Sequence, residues 1–147
     1  MDKRRQPKIT LTPIGHVERL KGTEAPNSTP EELRSSPVRI VLDNSLTDAL
    51  LGLEPGSDIL VLCYFHLSKG YELQIHPRGD PSRPLRGLFA TRTQHRPNPI
   101  SVTSARVLSI RGNVLEVIGL DAIDGTPVLD IKIHTSAFDT PYHLEEN

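Results

Sequence analysis

The sequence holds one cysteine, Cys63, which excludes an internal disulfide and any cysteine-rich metal site. No stretch approaches the roughly 18 apolar residues of a membrane-spanning helix. The opening Met1-Asp2-Lys3-Arg4-Arg5-Gln6 is followed by no apolar segment, so no secretory leader is expected and a cytoplasmic chain is. An excess of positive charge is also missing. Seventeen Lys and Arg stand against eighteen Asp and Glu, a formal charge of −1, so an anionic partner must be met by a local basic patch. No G-x-G-x-x-G is present, which argues against a doubly wound nucleotide-binding sheet. The histidines show no H-x-x-x-H spacing, so zinc is set aside. There is no G-x-S-x-G, and Cys63 sits mid-strand where a thiol is inert.

What remains is a chain of 147 residues, 24% charged and 36% apolar, which suits one soluble globular domain. Residues 1–8 read as a loose basic arm and residues 9–147 as a single domain. Strand-like spacing starts at Ile9 and continues through Leu11, Ile14 and Val17. Residues 21–37 carry three prolines and no apolar rhythm, and read as a 17-residue loop. Val38–Leu42 is a strand. Ser45 and Asp48 then open a short helix with Leu46, Leu50, Leu51 and Leu53 on its apolar face. Asp58–His66 is the central apolar strand, and Tyr71–His76 alternates like a half-exposed one. Ser101–Ile110 and Val114–Leu120 flank Arg111-Gly112-Asn113 as a hairpin, and Val128–His134 is the last strand. Six or seven strands, one short helix, long loops and no βαβ rhythm predict an all-β chain. Its antiparallel sheet is expected to be closed or partly open as a single barrel.

Residues 76–99 are the most unusual stretch, with five arginines (78, 83, 86, 92, 96), five prolines and one acid, Asp80. Proline framing presents the arginines at low entropic cost, and arginine grips carboxylate or phosphate bidentately. An ordinary solvated loop is the competing reading. Gly119–Asp130 puts Asp121 and Asp124 around a Gly-Thr-Pro turn, suited either to plain turn chemistry or to gripping ribose hydroxyls or an amine. His66, at the end of the apolar strand, is the third candidate. These residues by themselves point to a barrel with an arginine-rich site for an anionic or nucleotide-like ligand.

Two long motifs go further. Gly87–Ile100, GLFATRTQHRPNPI, resembles the G-x-F-A-T-R-S-P-x-R-P-N-P-I signature of the TsaA-like (TrmO, VirR-like) family. Gly119–Lys132, GLDAIDGTPVLDIK, is similar to its second signature, and Pro13-Ile14-Gly15-His16-Val17 to its opening strand. The resemblance implies a homodimeric β-barrel that binds S-adenosyl-L-methionine without a Rossmann domain. It further implies methyl transfer to N6 of threonylcarbamoyladenosine beside the anticodon of tRNA. Bacterial members often carry a further C-terminal domain, so this chain is expected to be the short form.

Carried over residue by residue, the cofactor contacts implied are Arg92, Val102, His66, Leu67 and the turn Asp121-Ala122-Ile123-Asp124. Pro26-Asn27-Ser28 stands where the family has Pro-Arg-Gln, without the arginine. Arg78, Arg83, Arg86, Arg96 and Asn98 are the residues expected to face an anticodon loop, with Arg96 and Asn98 alternatively shaping their own loop. Asp124 and His66 are the candidate bases. Two further departures are Thr93-Gln94 for Ser-Pro, which removes a proline, and Ser101 for a glycine, which a positive φ would strain. The competing functions are a cofactor-binding module without methyl transfer and a methyltransferase for a small molecule.

Overall fold

The computed structural model describes residues 6–20 and 29–142. Six strands close into an antiparallel barrel in the order β1-β2-β7-β6-β3-β8. They are β1 (Gly15–Glu18), β2 (Val38–Leu42), β3 (Asp58–Tyr64), β6 (Ile100–Arg111), β7 (Val114–Ile118) and β8 (Pro127–Ile133). The remaining strands, β4 (Gln74–Ile75) and β5 (Arg86–Gly87), form a separate ribbon. Alternation explains the barrel. Ile59, Val61 and Cys63 of β3 point inward beside Ala105 and Val107 of β6, Leu115 and Val117 of β7, and Val128 of β8. Bulges between Leu62 and Cys63 and between Val107 and Ser109 add the local twist that helps closure.

Several boundaries differ from the sequence expectation. The first strand starts at Gly15, because Pro13 cannot donate to a ladder and leaves Ile9 and Leu11 exposed. At Gly15 a Cβ would lie 2.2 Å from the Val41 carbonyl oxygen, so glycine is required by the approach of β2. The expected loop 21–37 contains helix α1 (Pro30–Ser35), which holds a complete capping box between Thr29 and Glu32, with Pro30 in its first turn. The expected helix at Ser45 is a 3-10 turn, Asn44–Leu50, capped by Asp43 rather than Ser45. Tyr71–His76 pairs only at Gln74 and Ile75, since no sheet lies there to bury the alternating side chains. A last short helix, α2 (Ser136–Asp139), follows β8. Residues 1–5 of the expected arm, and Pro26, Asn27 and Ser28, lie outside the described residues.

Topology decides where function can sit. β1, β7 and β3 all run toward one end of the barrel, and β2, β6 and β8 start from it. The described residues of the connections 19–37, 65–99 and 119–126 therefore share one rim. Every site residue expected from the sequence and described lies on these connections or, like Val102, at the start of β6.

Candidate functional site

A cleft of about 490 Å³ opens at this rim. It brings together His66 and Leu67 from the turn after β3, Arg92 from the arginine-rich loop, and Asp121, Ala122 and Ile123 from the turn after β7. Volume and lining suit a small-molecule site, in which apolar walls carry a few fixed polar groups. Phe65, Leu33 and Ile123 supply apolar wall, and Arg92 and Asp121 the opposite charges.

Each wall has a local cause. β3 ends at Tyr64 because the Phe65 N–H turns to the Pro99 carbonyl at 2.8 Å, and the Ser68 N–H closes a turn on Phe65 at 3.0 Å. The Ser68 hydroxyl donates to the Gln94 carbonyl and lies 3.2 Å from His95 Nδ1, tying that turn to the arginine loop. Arg96 donates to the carbonyls of Thr91 and Thr93 at 3.0 and 3.3 Å and sits over the Phe89 ring. These bonds hold the loop where Thr93-Gln94 replaces Ser-Pro. Ser101 is not strained, since Arg78 is the only described non-glycine with positive φ. Ser101 is ordinary strand paired with Cys63.

The turn 119–126 is held by a residue that sequence reasoning missed. Arg19 is 5% exposed. Its Nε donates to the Ala122 carbonyl and its Nη2 to the Leu120 carbonyl, each at 2.7 Å. Its Nη1 reaches the Leu33 carbonyl of α1 at 3.4 Å, and its backbone N–H donates to Asp124 Oδ1 at 2.9 Å. The Gly125 N–H adds a bond to Val17 at 2.8 Å, with Gly125 at φ 82°. One guanidinium thus joins β1, α1 and the turn. A buried arginine announces itself in sequence only as one more charge, so no signal marked it.

The expected residues divide as follows. Arg92 and Val102 meet, the Arg92 guanidinium donating to the Val102 carbonyl at the edge of β6. Asp124 does not line the cleft; its carboxylate is engaged by Arg19, which makes it a turn anchor. Asn98 lines none of the three cavities at this rim, and its carbonyl accepts from the Ile100 N–H at 2.7 Å. Arg78, Arg83 and Arg86 do gather, lining a groove of about 1470 Å³ that shares Arg92 and Asp121 with the cleft. Arg78 is held there in the left-handed region at φ 58°, a strained conformation for a side chain with a Cβ. A third crevice of about 460 Å³ holds Arg96, Arg92 and Val102. Burial, with the Asp121 charge adding to it, pushes the Cys63 thiol beneath the rim up to about 11. Among the described residues no group of three or more His, Cys, Asp or Glu is placed to hold a metal, and no helix is long and apolar enough to cross a membrane.

The sequence matches the family model described as the tRNA-methyltransferase O N-terminal domain over residues 20–140. A probable S-adenosyl-L-methionine-binding protein of Methanocaldococcus jannaschii is 39% identical over 102 residues, 67% of this chain and 81% of that one. A tRNA (adenine(37)-N6)-methyltransferase of Rattus norvegicus is 33% identical over 93% of this chain, which spans 33% of that enzyme. The crystal structure of TrmO from Pseudomonas aeruginosa superposes with a TM-score of 0.69 at 28% identity, covering 95% of this chain and 61% of that one.

Proposed function

Because the chain belongs to the tRNA-methyltransferase O N-terminal domain family, we propose that it methylates N6 of adenosine 37 in tRNA with S-adenosyl-L-methionine, the reaction named for the rat relative. The observation that carries this is the joining of a ligand-sized cleft to an arginine-lined groove through three shared residues, Pro30, Arg92 and Asp121. A methyl donor and a polyanion therefore meet at one place.

The residues present fit the donor. Arg92 offers a cation for its carboxylate, the turn 121–123 offers polar groups for its amino group and ribose, and Phe65 and Leu33 offer apolar wall for its adenine. The donor, when bound, supplies a sulfonium methyl for direct displacement. The chain contributes mainly positioning, for which orientation alone supplies up to roughly 7–11 kcal/mol. Asp121 lines cleft, groove and crevice alike, and we assign it the N6 proton. Asp124 is released from that role by its bond to Arg19. The groove arginines meet phosphates, and a loop nucleotide reaches a rim cleft more readily than a base stacked in a duplex.

The same reading takes the threonylcarbamoyl-modified base as substrate and the cytoplasm as location. It takes a homodimer as the working form, with residues 9–147 acting as one unit. The test is turnover. Purified protein with donor and tRNA from a cell lacking this methyltransferase is expected to form S-adenosylhomocysteine and N6-methylated adenosine in equal amounts. Donor binding without turnover on any tRNA contradicts the proposal and leaves a binding module.

A further inference from the structure

We infer that Arg34 of α1, outside every motif noted in the sequence, binds a backbone phosphate of the substrate RNA beside the reacting nucleoside. The inference rests on the RNA-methylation reading above and adds a residue and a strand path to it.

Arg34 is anchored at its backbone and unengaged at its head. Its carbonyl accepts from the Gly119 N–H at 2.9 Å, and the preceding carbonyl, of buried Leu33, accepts from Arg19. The capping box fixes the other end of α1. Its guanidinium makes no hydrogen bond or ion pair with a described residue. The two arginines that share the crevice with it are partly committed, Arg92 to Val102 and Arg96 to Thr91 and Thr93. Of the three crevice arginines, Arg34 is the one whose donors no described residue takes up.

Its position narrows the ligand. Arg34 lines both groove and crevice, but not the cleft. The methyl donor's carboxylate is therefore Arg92's partner rather than Arg34's. A strand running from the groove into the crevice, with one base turned into the cleft, passes the residues that line both, Arg34, Arg92, Thr93 and Asp121, of which Arg34 is the cation outside the cleft. The crevice adds Thr103 and Ser101, the Ser101 hydroxyl donating to the Cys63 carbonyl at 3.5 Å. The opposing carboxylate there is Asp121, against three guanidinium groups. A phosphate matches the planar fork of an arginine and completes that imbalance.

The experiment is binding of a fluorescein-labelled anticodon stem-loop RNA to the full chain, followed by anisotropy across a salt series, with donor affinity measured calorimetrically in parallel. Arg34→Gln is expected to weaken RNA binding about tenfold and to lower the slope of log K against log salt by about one. Donor affinity is expected to stay unchanged. Arg34→Lys keeps the slope while losing part of the affinity. Unchanged RNA affinity and slope in Arg34→Gln overturn the inference. So does a loss of donor affinity alongside RNA affinity, which would put Arg34 in the cleft. If the unaltered chain methylates no tRNA, the functional reading fails and takes the strand path with it. Turnover that persists with an unmoved salt slope removes only Arg34.

Discussion

The Arg19 N–H and the Asp124 carboxylate, 105 positions apart in the chain, meet at 2.9 Å, while the Arg19 guanidinium spans the carbonyls of Leu120 and Ala122. The candidate cleft is thus shaped from beneath by a residue that does not line it. Arg19→Met keeps much of the apolar stem but leaves buried carbonyls without their donors. We predict a stability loss of about 3 kcal/mol, read as a lower urea midpoint. Donor affinity falls as well, because α1 and the 119–126 turn lose their common tie. Asp124→Asn, which retains an acceptor oxygen, has the smaller effect on both.

Gly15 tests how closely β1 and β2 approach. A Cβ there meets the Val41 carbonyl oxygen at 2.2 Å, and backbone cannot yield as a flexible side chain does. Gly15→Ala is predicted to cost about 1–3 kcal/mol in urea denaturation. A neutral substitution would mean that the β1–β2 register differs from the one described.

Acid sensitivity follows from three exposed carboxyls. The hydrogen bond from Arg106 holds the Asp58 carboxyl below the usual range, and hydrogen bonds from Ser45 and Ser82 do the same for Asp43 and Asp80. The folded carboxyls take up protons less readily than the unfolded ones. Their contribution is therefore complete above about pH 4 and is lost as pH falls through the lower folded values. The urea midpoint is expected to fall as pH drops from about 4 through the lower folded values, and Asp58→Asn to flatten part of that fall. Because the Asp58–Arg106 pair is exposed, the effect shrinks at high salt.

Strands buried on one face were legible in the sequence, because period-two alternation reports a sheet that does the burying. β8 follows from it to within a few residues, while β3 follows from its near-continuous apolar run and β6 and β7 from the Gly-containing turn between them. The same signal misled at Tyr71–His76, where residues alternate without a sheet beneath them. Helix α1 was missed because six residues with one buried leucine carry no helical rhythm, although Thr29 and Glu32 spell its capping box. The site divides similarly. Arg92 and Asp121 were found through motifs and His66 from its place at the end of the apolar strand, and the barrel rim does collect them. Asp121 and Asp124 look equivalent as letters, yet the fold aims one at the cleft and ties the other to Arg19. Arg19 and Arg34 owe their standing to contacts distant in sequence, which composition and spacing do not encode.

We propose that the rim cleft holds the methyl donor with Arg92 as its carboxylate anchor. The most direct measurement is calorimetric titration of S-adenosyl-L-methionine into the unaltered chain and into Arg92→Ala. Micromolar binding by the former, weakened at least tenfold in the latter at unchanged urea midpoint, is the predicted result. Equal affinity in both proteins, or no binding by the unaltered chain, would contradict it.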